Sequence, residues 1–206
     1  IIVIDDGSTD KTCNLINALK ISNLKLIKTK NQGVSAARNY GLKFVHSDWV
    51  AFLDCDDEWS KDKLYKQISI GNKHNIGFIC SSIDNVNKRY SRIININSLF
   101  AGNFIATSSV LLKFSNYSSC LPLFDAEKTF AEDYAAWIKI LIISDGYYIS
   151  EQLVKYSISN KPNYHFFQSM AGLLKLYLFS YNQIFKTNWN IFRKIKTFIY
   201  IVIGIS

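Results

Sequence analysis

Proline is scarce in this chain, 2 in 206 residues, and glycine reaches only 9, which excludes collagen-like, linker-like and loop-dominated architectures. No repeat with a period of about 20–50 residues is visible, so a solenoid is excluded as well. The 4 cysteines, Cys13, Cys55, Cys80 and Cys120, are never closely paired, so neither a zinc ribbon nor a disulfide ladder follows from them. A reducing compartment is expected instead. The 3 histidines, His46, His74 and His165, lie far apart and form no ligand pattern. The apolar run from Phe198 to Ile205 is too short to span a bilayer. The opening Ile1-Ile2-Val3-Ile4 has no basic stretch or small-residue cleavage site and is not read as a signal peptide. It reads as a strand already under way, with further sequence expected upstream.

What is present is globular in kind: 49% hydrophobic and 19% charged residues, in a length suited to one domain with an appendage. The net charge of +8 is uneven. Residues 151–206 hold seven Lys or Arg against Glu151 alone, a net of +6, and the first 150 residues carry only +2. The expected division is a domain over 1–150 and a basic, aromatic helical region over 151–206.

The apolar run Ile1–Ile4, ending in Asp5-Asp6-Gly7-Ser8, suits a buried strand of a largely parallel sheet. Ser8 is expected to cap the next helix, with Asp10 in its first turn and Thr12, Ile16 and Leu19 facing inward. A strand over Leu24–Lys28, a turn at Asn31-Gln32-Gly33, a helix over Val34–Val45 and a strand over Trp49–Leu53 follow. Strand–helix–strand–helix–strand at this spacing predicts an α/β fold, mostly parallel, with helices on both faces. Further on, Lys61–Lys73 reads as an exposed helix, Gly77–Ser82 as a strand and Asp84–Asn97 as a loop or edge hairpin. Asn103–Leu112 reads as strand-like, Glu132–Ile143 as an amphipathic helix, and Phe166–Phe185 shows helical apolar spacing.

In such sheets ligands collect beyond the carboxyl ends of the strands. Both acidic clusters, Asp5-Asp6 and Asp54/Asp56/Asp57, fall on that rim. Asp54 and Asp56, one residue apart where a strand breaks, offer hard oxygen ligands to magnesium or manganese; alternatively they only cap a solvated turn. Arg38, one turn into its helix beside Asn39, can fork onto a phosphate or simply pair with an acid. Glu132 and Asp133 open a helix, where a carboxylate can serve as a general base or merely complement the helix dipole. That dipole is expected to lower the carboxylate pKa. Trp49, Trp59 and Trp137 are read as core or cleft wall, and Trp59 also as a candidate ligand-facing aromatic.

Together these segments resemble a known family. Ile2–Asp10 (IVIDDGSTD), Asn31–Gly41 (NQGVSAARNYG), Phe52–Asp57 (FLDCDD) and Phe124-Asp125 followed by Glu132-Asp133-Tyr134 and Trp137 are similar, in order and spacing, to family 2 glycosyltransferases of the GT-A fold. The resemblance implies a sugar moved with inversion from a nucleotide-sugar donor, typically UDP-linked, to an acceptor hydroxyl in cell-surface polysaccharide or glycolipid synthesis. It places Asp5, Asp6 and Ser8 near the nucleotide and Arg38 by the nucleotide and its diphosphate. Asp54 would face the ribose, sharing with Asp56 a divalent cation, Mn2+ or Mg2+. Asp133 is implied as the catalytic base, with Glu132 the second candidate. Family members begin with one more strand and helix, which this sequence lacks.

The competing reading is a non-catalytic remnant that acts as a binding or scaffold module. In the tail, Ile191, Phe192, Ile195, Phe198, Ile199, Val202 and Ile203 recur at helical spacing among Arg193, Lys194 and Lys196. Such a helix over 191–206 either lies on anionic lipid at the inner membrane face or packs on the domain. The expected location is cytoplasmic, the expected partners a nucleotide sugar and a saccharide or lipid-linked acceptor, and nucleic-acid binding is not expected.

Overall fold

The computed structural model describes residues 1–83, 90–99, 102–125 and 132–156. The expected helix over 166–185, the basic tail at 191–206 and nearly all of the expected second region lie outside the described residues. The chain runs β1 (Ile2–Asp5), α1 (Thr12–Ala18), β2 (Lys25–Lys28), α2 (Val34–Leu42), β3 (Trp49–Ala51), β4 (Glu58–Trp59), α3 (Lys63–His74) and β5 (Phe78–Ser82). After these come β6 (Arg92–Ile94), β7 (Leu111–Lys113), α4 (Glu132–Ile143), β8 (Gly146–Gln152) and β9 (Val154–Lys155).

The α/β alternation is as the spacing predicts. β1 and β2 pair in parallel, and five strands form a second sheet in the order β3-β7-β5-β8-β6. In that sheet β3, β5 and β8 run one way, while β7, lodged between β3 and β5, and β6 at the edge run against them. β4 and β9 make a separate antiparallel ribbon.

β5 shows why the sheet is covered on both sides. Successive side chains of a strand point to opposite faces. Phe78 and Cys80 enter the larger core with Trp137, Phe124, Ile140 and Leu112. Ile79 enters a smaller one with Leu111, Ile149 and Leu153, against which Ile68 and Ile70 of α3 pack.

Several local expectations are corrected. α1 begins at Thr12 rather than just after Ser8, and no side chain of Lys11 at its cap position bonds the helix. Asp10 instead accepts the Thr12 N–H at 2.9 Å, because its short carboxylate reaches two residues on without helical geometry. The buried residue of α1 is Cys13, with the expected Thr12 and Ile16 half-buried beside it, whereas Leu19 is exposed. α3 is not simply exposed: Lys63, Gln67 and Gly71 form a buried stripe at four-residue spacing. Between Asn103 and Leu112 only Leu111 and Leu112 belong to a strand, since Thr107–Ser109 closes into a tight 3-10 turn. α4 spans the expected residues but is buried on most of its circumference through Tyr134, Ala135, Ala136, Trp137, Ile140 and Leu141.

Trp137 is the keystone of α4. It is wholly buried, its indole N–H donates to the Ile105 carbonyl at 3.1 Å, and its ring meets Phe78 and Phe124 at 5.5 and 6.0 Å. Trp137→Ala would leave a cavity and an unpaired carbonyl. It is expected to lower stability by about 3–5 kcal/mol, measured as the shift of the urea unfolding midpoint at constant slope.

Candidate active site

The rim begins where β1 ends. Asp5 is buried, its Oδ1 accepting the Ser8 N–H at 2.9 Å and its Oδ2 the Cys13 thiol. Those bonds, the thiol's first, hold its carboxyl down to about 2. Ser8 itself is exposed. Gly7, at φ +91°, makes the turn, and a Cβ there would sit 3.0 Å from the Asn31 nitrogen.

Asp6 reaches the other way. Its Oδ1 accepts from the Thr29 hydroxyl at 2.7 Å, and its Oδ2 accepts the N–H groups of Gln32 at 3.1 Å and Gly33 at 2.7 Å. Burial pulls its pKa up, but the bonds from Thr29, Gln32 and Gly33 outweigh it and the net direction is down. Gly33, at φ +93°, is the residue from which α2 starts. Asp6 therefore fixes the start of that helix, and a cavity of about 340 Å³ opens beside it, lined among others by Thr29, Lys30, Gln32, Tyr40 and Lys43.

One turn into α2 stands Arg38. Its Nη2 donates to Asp54 Oδ1 at 2.7 Å and its Nη1 to Glu132 Oε1 at 3.1 Å, with the guanidinium 5.3 Å from the Phe124 ring centre. Only 12% of the side chain is exposed. The reading of Arg38 as an acid partner is thus realised, but across 94 residues of sequence and within the site. Asn39 clamps both backbone groups of Phe124, donating to its carbonyl at 2.6 Å and accepting its N–H at 3.0 Å.

The acid loop after β3 sorts its carboxylates by exposure: Asp54 is half-buried, Asp56 exposed and Asp57 buried. The Asp54 N–H donates to the Ser108 hydroxyl at 3.0 Å, and the Trp59 indole donates to the Ser108 carbonyl at 2.8 Å. Trp59 is therefore a strut beneath the loop.

Asp133 follows Glu132 at the start of α4. Its Oδ2 accepts from the Asn103 amide at 3.1 Å and its Oδ1 from the Tyr134 N–H at 2.6 Å. Burial first, and the neighbouring Glu132 charge second, push its pKa up to about 6. The expected lowering by the helix dipole is overturned, because loss of water outweighs it.

The structure thus brings Arg38, Asp54 and Glu132 into direct contact, with Asp133 adjacent to Glu132 and Asp56 two residues from Asp54. Asp5, Asp6 and Ser8 sit at the entrance to α2. Two participants were missed in the sequence. Ser108 gave no signal, being one of many serines. Tyr156 follows β9, whose register places it opposite Asp57, and the charges of Asp57, Asp54, Asp133 and Asp56 add to burial in raising its phenol pKa.

Magnesium and manganese prefer carboxylate oxygens and commonly complete their shell with substrate phosphates. The exposed Asp56 carboxylate, with Asp54 beside it, fits such a cation. Among the described residues no cluster of three or more His, Cys, Asp or Glu makes a self-sufficient metal cage.

The chain is similar to known proteins. An uncharacterized glycosyltransferase of Rickettsia conorii, RC0461, is 32% identical over 174 residues, covering 79% of this chain and 28% of that protein. The Escherichia coli UDP-Glc:alpha-D-GlcNAc-diphosphoundecaprenol beta-1,3-glucosyltransferase WfgD is 33% identical over 155 residues, covering 68% of this chain and 57% of the relative. The chain thus spans from about a quarter to rather more than half of these relatives' lengths. Among solved structures, Staphylococcus aureus TarS 1–349 in complex with UDP-GlcNAc superposes with a TM-score of 0.66 at 19% identity, covering 79% of this chain and 50% of that one, so the fold is of the same GT-A kind. The family model of glycosyl transferase family 2 matches residues 1–127, and the chain belongs to that family.

Proposed function

We propose that this chain transfers a sugar, with inversion, from a UDP-linked donor to the hydroxyl of a saccharide or lipid-linked acceptor. The observation that carries the reading is the Arg38 bridge, which gathers the Asp54 loop and the Glu132-Asp133 pair, 78 residues apart, at one point of the rim. Asp133 is the base. A carboxylate poised near 6 is ionised at neutral pH yet basic enough to take a hydroxyl proton, and Glu132 is less suited because Arg38 holds it. The deprotonated acceptor oxygen attacks the anomeric carbon from the face opposite the departing nucleoside diphosphate. The bond from that carbon to the diphosphate oxygen breaks as the new glycosidic bond forms.

Asp56 and Asp54 would hold a divalent cation, which when bound supplies positive charge beside the leaving diphosphate. Arg38 lies in the same corner, its charge shared between Asp54 and Glu132. Asp6 borders the cavity where a nucleotide would lie, while Asp5 and Ser8 hold that wall through their own turn. The acceptor class follows the E. coli relatives WfgD and WfaP, named for a diphosphoundecaprenol-linked substrate. A location at the inner membrane face fits such an acceptor. No helix among the described residues is long and apolar enough to cross a membrane.

Calorimetric titration with UDP, with and without manganese, tests the donor site. Metal-dependent binding is expected in the parent chain and its loss in Asp56→Asn; unchanged affinity in that variant would remove Asp56 from the cation site. Asp133→Asn is expected to retain UDP binding while transfer falls by about 10²–10⁴, measured as product formed from UDP-sugar and acceptor. Equal turnover of variant and parent would exclude Asp133 as base. The transfer rate in the parent should rise as pH passes through about 6 and Asp133 loses its proton, then level off. A flat profile between pH 5 and 7 would contradict the assignment of the base.

A further inference from the structure

We propose that Lys63 is a positioning residue for the acid loop: its buried ammonium, set against the Trp59 ring, locks the indole that holds Ser108 and through it the main chain of Asp54. The proposal rests on the reading of Asp54 as part of the donor site. Lys63 has no exposed surface at all, a rare condition for a lysine that lacks an ionic partner. Among the described residues no carboxylate lies within ion-pairing distance of it; its Nζ donates to Gln67 Oε1 at 2.8 Å and stands 4.2 Å from the centre of the Trp59 ring. Burial lowers its pKa to about 7, so below that pH the fold carries a buried charge that a methionine of similar length would spare it.

The geometry gives that charge a task. Lys63 and Gln67 lie one turn apart on α3 and grip neighbouring links of one buried turn. Gln67 does so directly, its amide donating to the Ser109 carbonyl at 2.8 Å. Lys63 does so through Trp59, whose indole N–H donates to the Ser108 carbonyl. The Ser108 hydroxyl then accepts the Asp54 N–H at 3.0 Å, and the Asp54 carboxylate meets Arg38. A cation over a desolvated indole face resists tilting of the ring, because the attraction depends on the face presented. A tilted ring would pull its N–H off Ser108 and slacken the Asp54 main chain.

The test is a double-mutant cycle in the full chain, run at a pH below about 7 where Lys63 carries its proton, read by hydrogen exchange of the Asp54 amide and of the Trp59 and Trp137 indoles, with UDP affinity measured alongside. Lys63→Met is expected to speed exchange at Asp54 and Trp59 by about tenfold and to weaken UDP binding, while Trp137 keeps its protection. Trp59→Phe should loosen Asp54 as much, and the double variant no further, since both act through one contact. Unchanged Asp54 exchange in Lys63→Met would overturn the proposal, as would additive effects in the double variant. Equal loss of protection at Trp137, or a Lys63→Met chain that does not fold, would make Lys63 a general stability residue and overturn it too. Trp59→Phe, which leaves the lysine in place, then still measures the strut by itself. Exchange decides this proposal and UDP affinity of the parent decides the donor reading, so either can fail alone.

Discussion

Three charged side chains from three distant parts of the sequence meet at Arg38, and the rim depends on that meeting. Asp54 follows β3, Glu132 opens α4 and Arg38 belongs to α2. Without the guanidinium, two carboxylates would face one another in a half-buried corner, with Asp133 beside them. Like charges so placed are strongly unfavourable when little water reaches them. The guanidinium suits the position because its planar fork offers separate N–H donors to two acids, which a lysine's single nitrogen cannot do with the same geometry. The Phe124 ring beneath it excludes water and gives the cation an apolar platform.

The fork works only if α2 is aimed, and two contacts aim it. Asp6 holds the start of the helix through the Gln32 and Gly33 N–H groups, the donors a helix N-terminus leaves without partners. Asn39, next to Arg38, takes both backbone groups of Phe124, so the helix is tied at its middle to the segment that precedes α4. Below, Gly41 lets Ile4 of β1 approach to 3.3 Å of where a Cβ would stand, which brings helix and strand close. The acid loop has its own support from Ser108 and Trp59, independent of α2. Arg38 is where the two supports are joined.

The first half of the chain was readable because its elements carry strong local signals. Apolar runs end abruptly in acids, and the helices between them have the right length and spacing. The α/β class, the acids at the end of β1 and just after β3, and, later in the chain, the helix Glu132–Ile143 all follow from such signals. What was not readable depends on tertiary burial. Lys63 and Gln67 have the composition of a surface helix, and only the packing of α3 against β5, β7 and β8 turns them inward. Asn103–Leu112 is apolar and β-branched like a strand, yet tertiary demands at Ser108 bend it into a turn. The direction of the Asp133 shift was missed for the same reason. A dipole effect can be read from position in a helix, whereas desolvation cannot be read without knowing what lies on top.

The rim's acids consequently form a graded series. Asp5 and Asp6 are supplied with N–H, O–H and S–H donors and stay ionised to low pH, which suits groups whose task is to hold loops. Asp133 has two donors, little water and a negative neighbour, so its proton affinity is far higher. Two carboxylates whose surroundings push their pKa values apart divide structural and proton-transfer roles between them. Glu132 is central to that division in two ways. Its charge helps raise Asp133, and its pairing with Arg38 fixes the position of its side chain. The brace that assembles the rim therefore also tunes the base, and a change at Arg38 acts on geometry and proton affinity together.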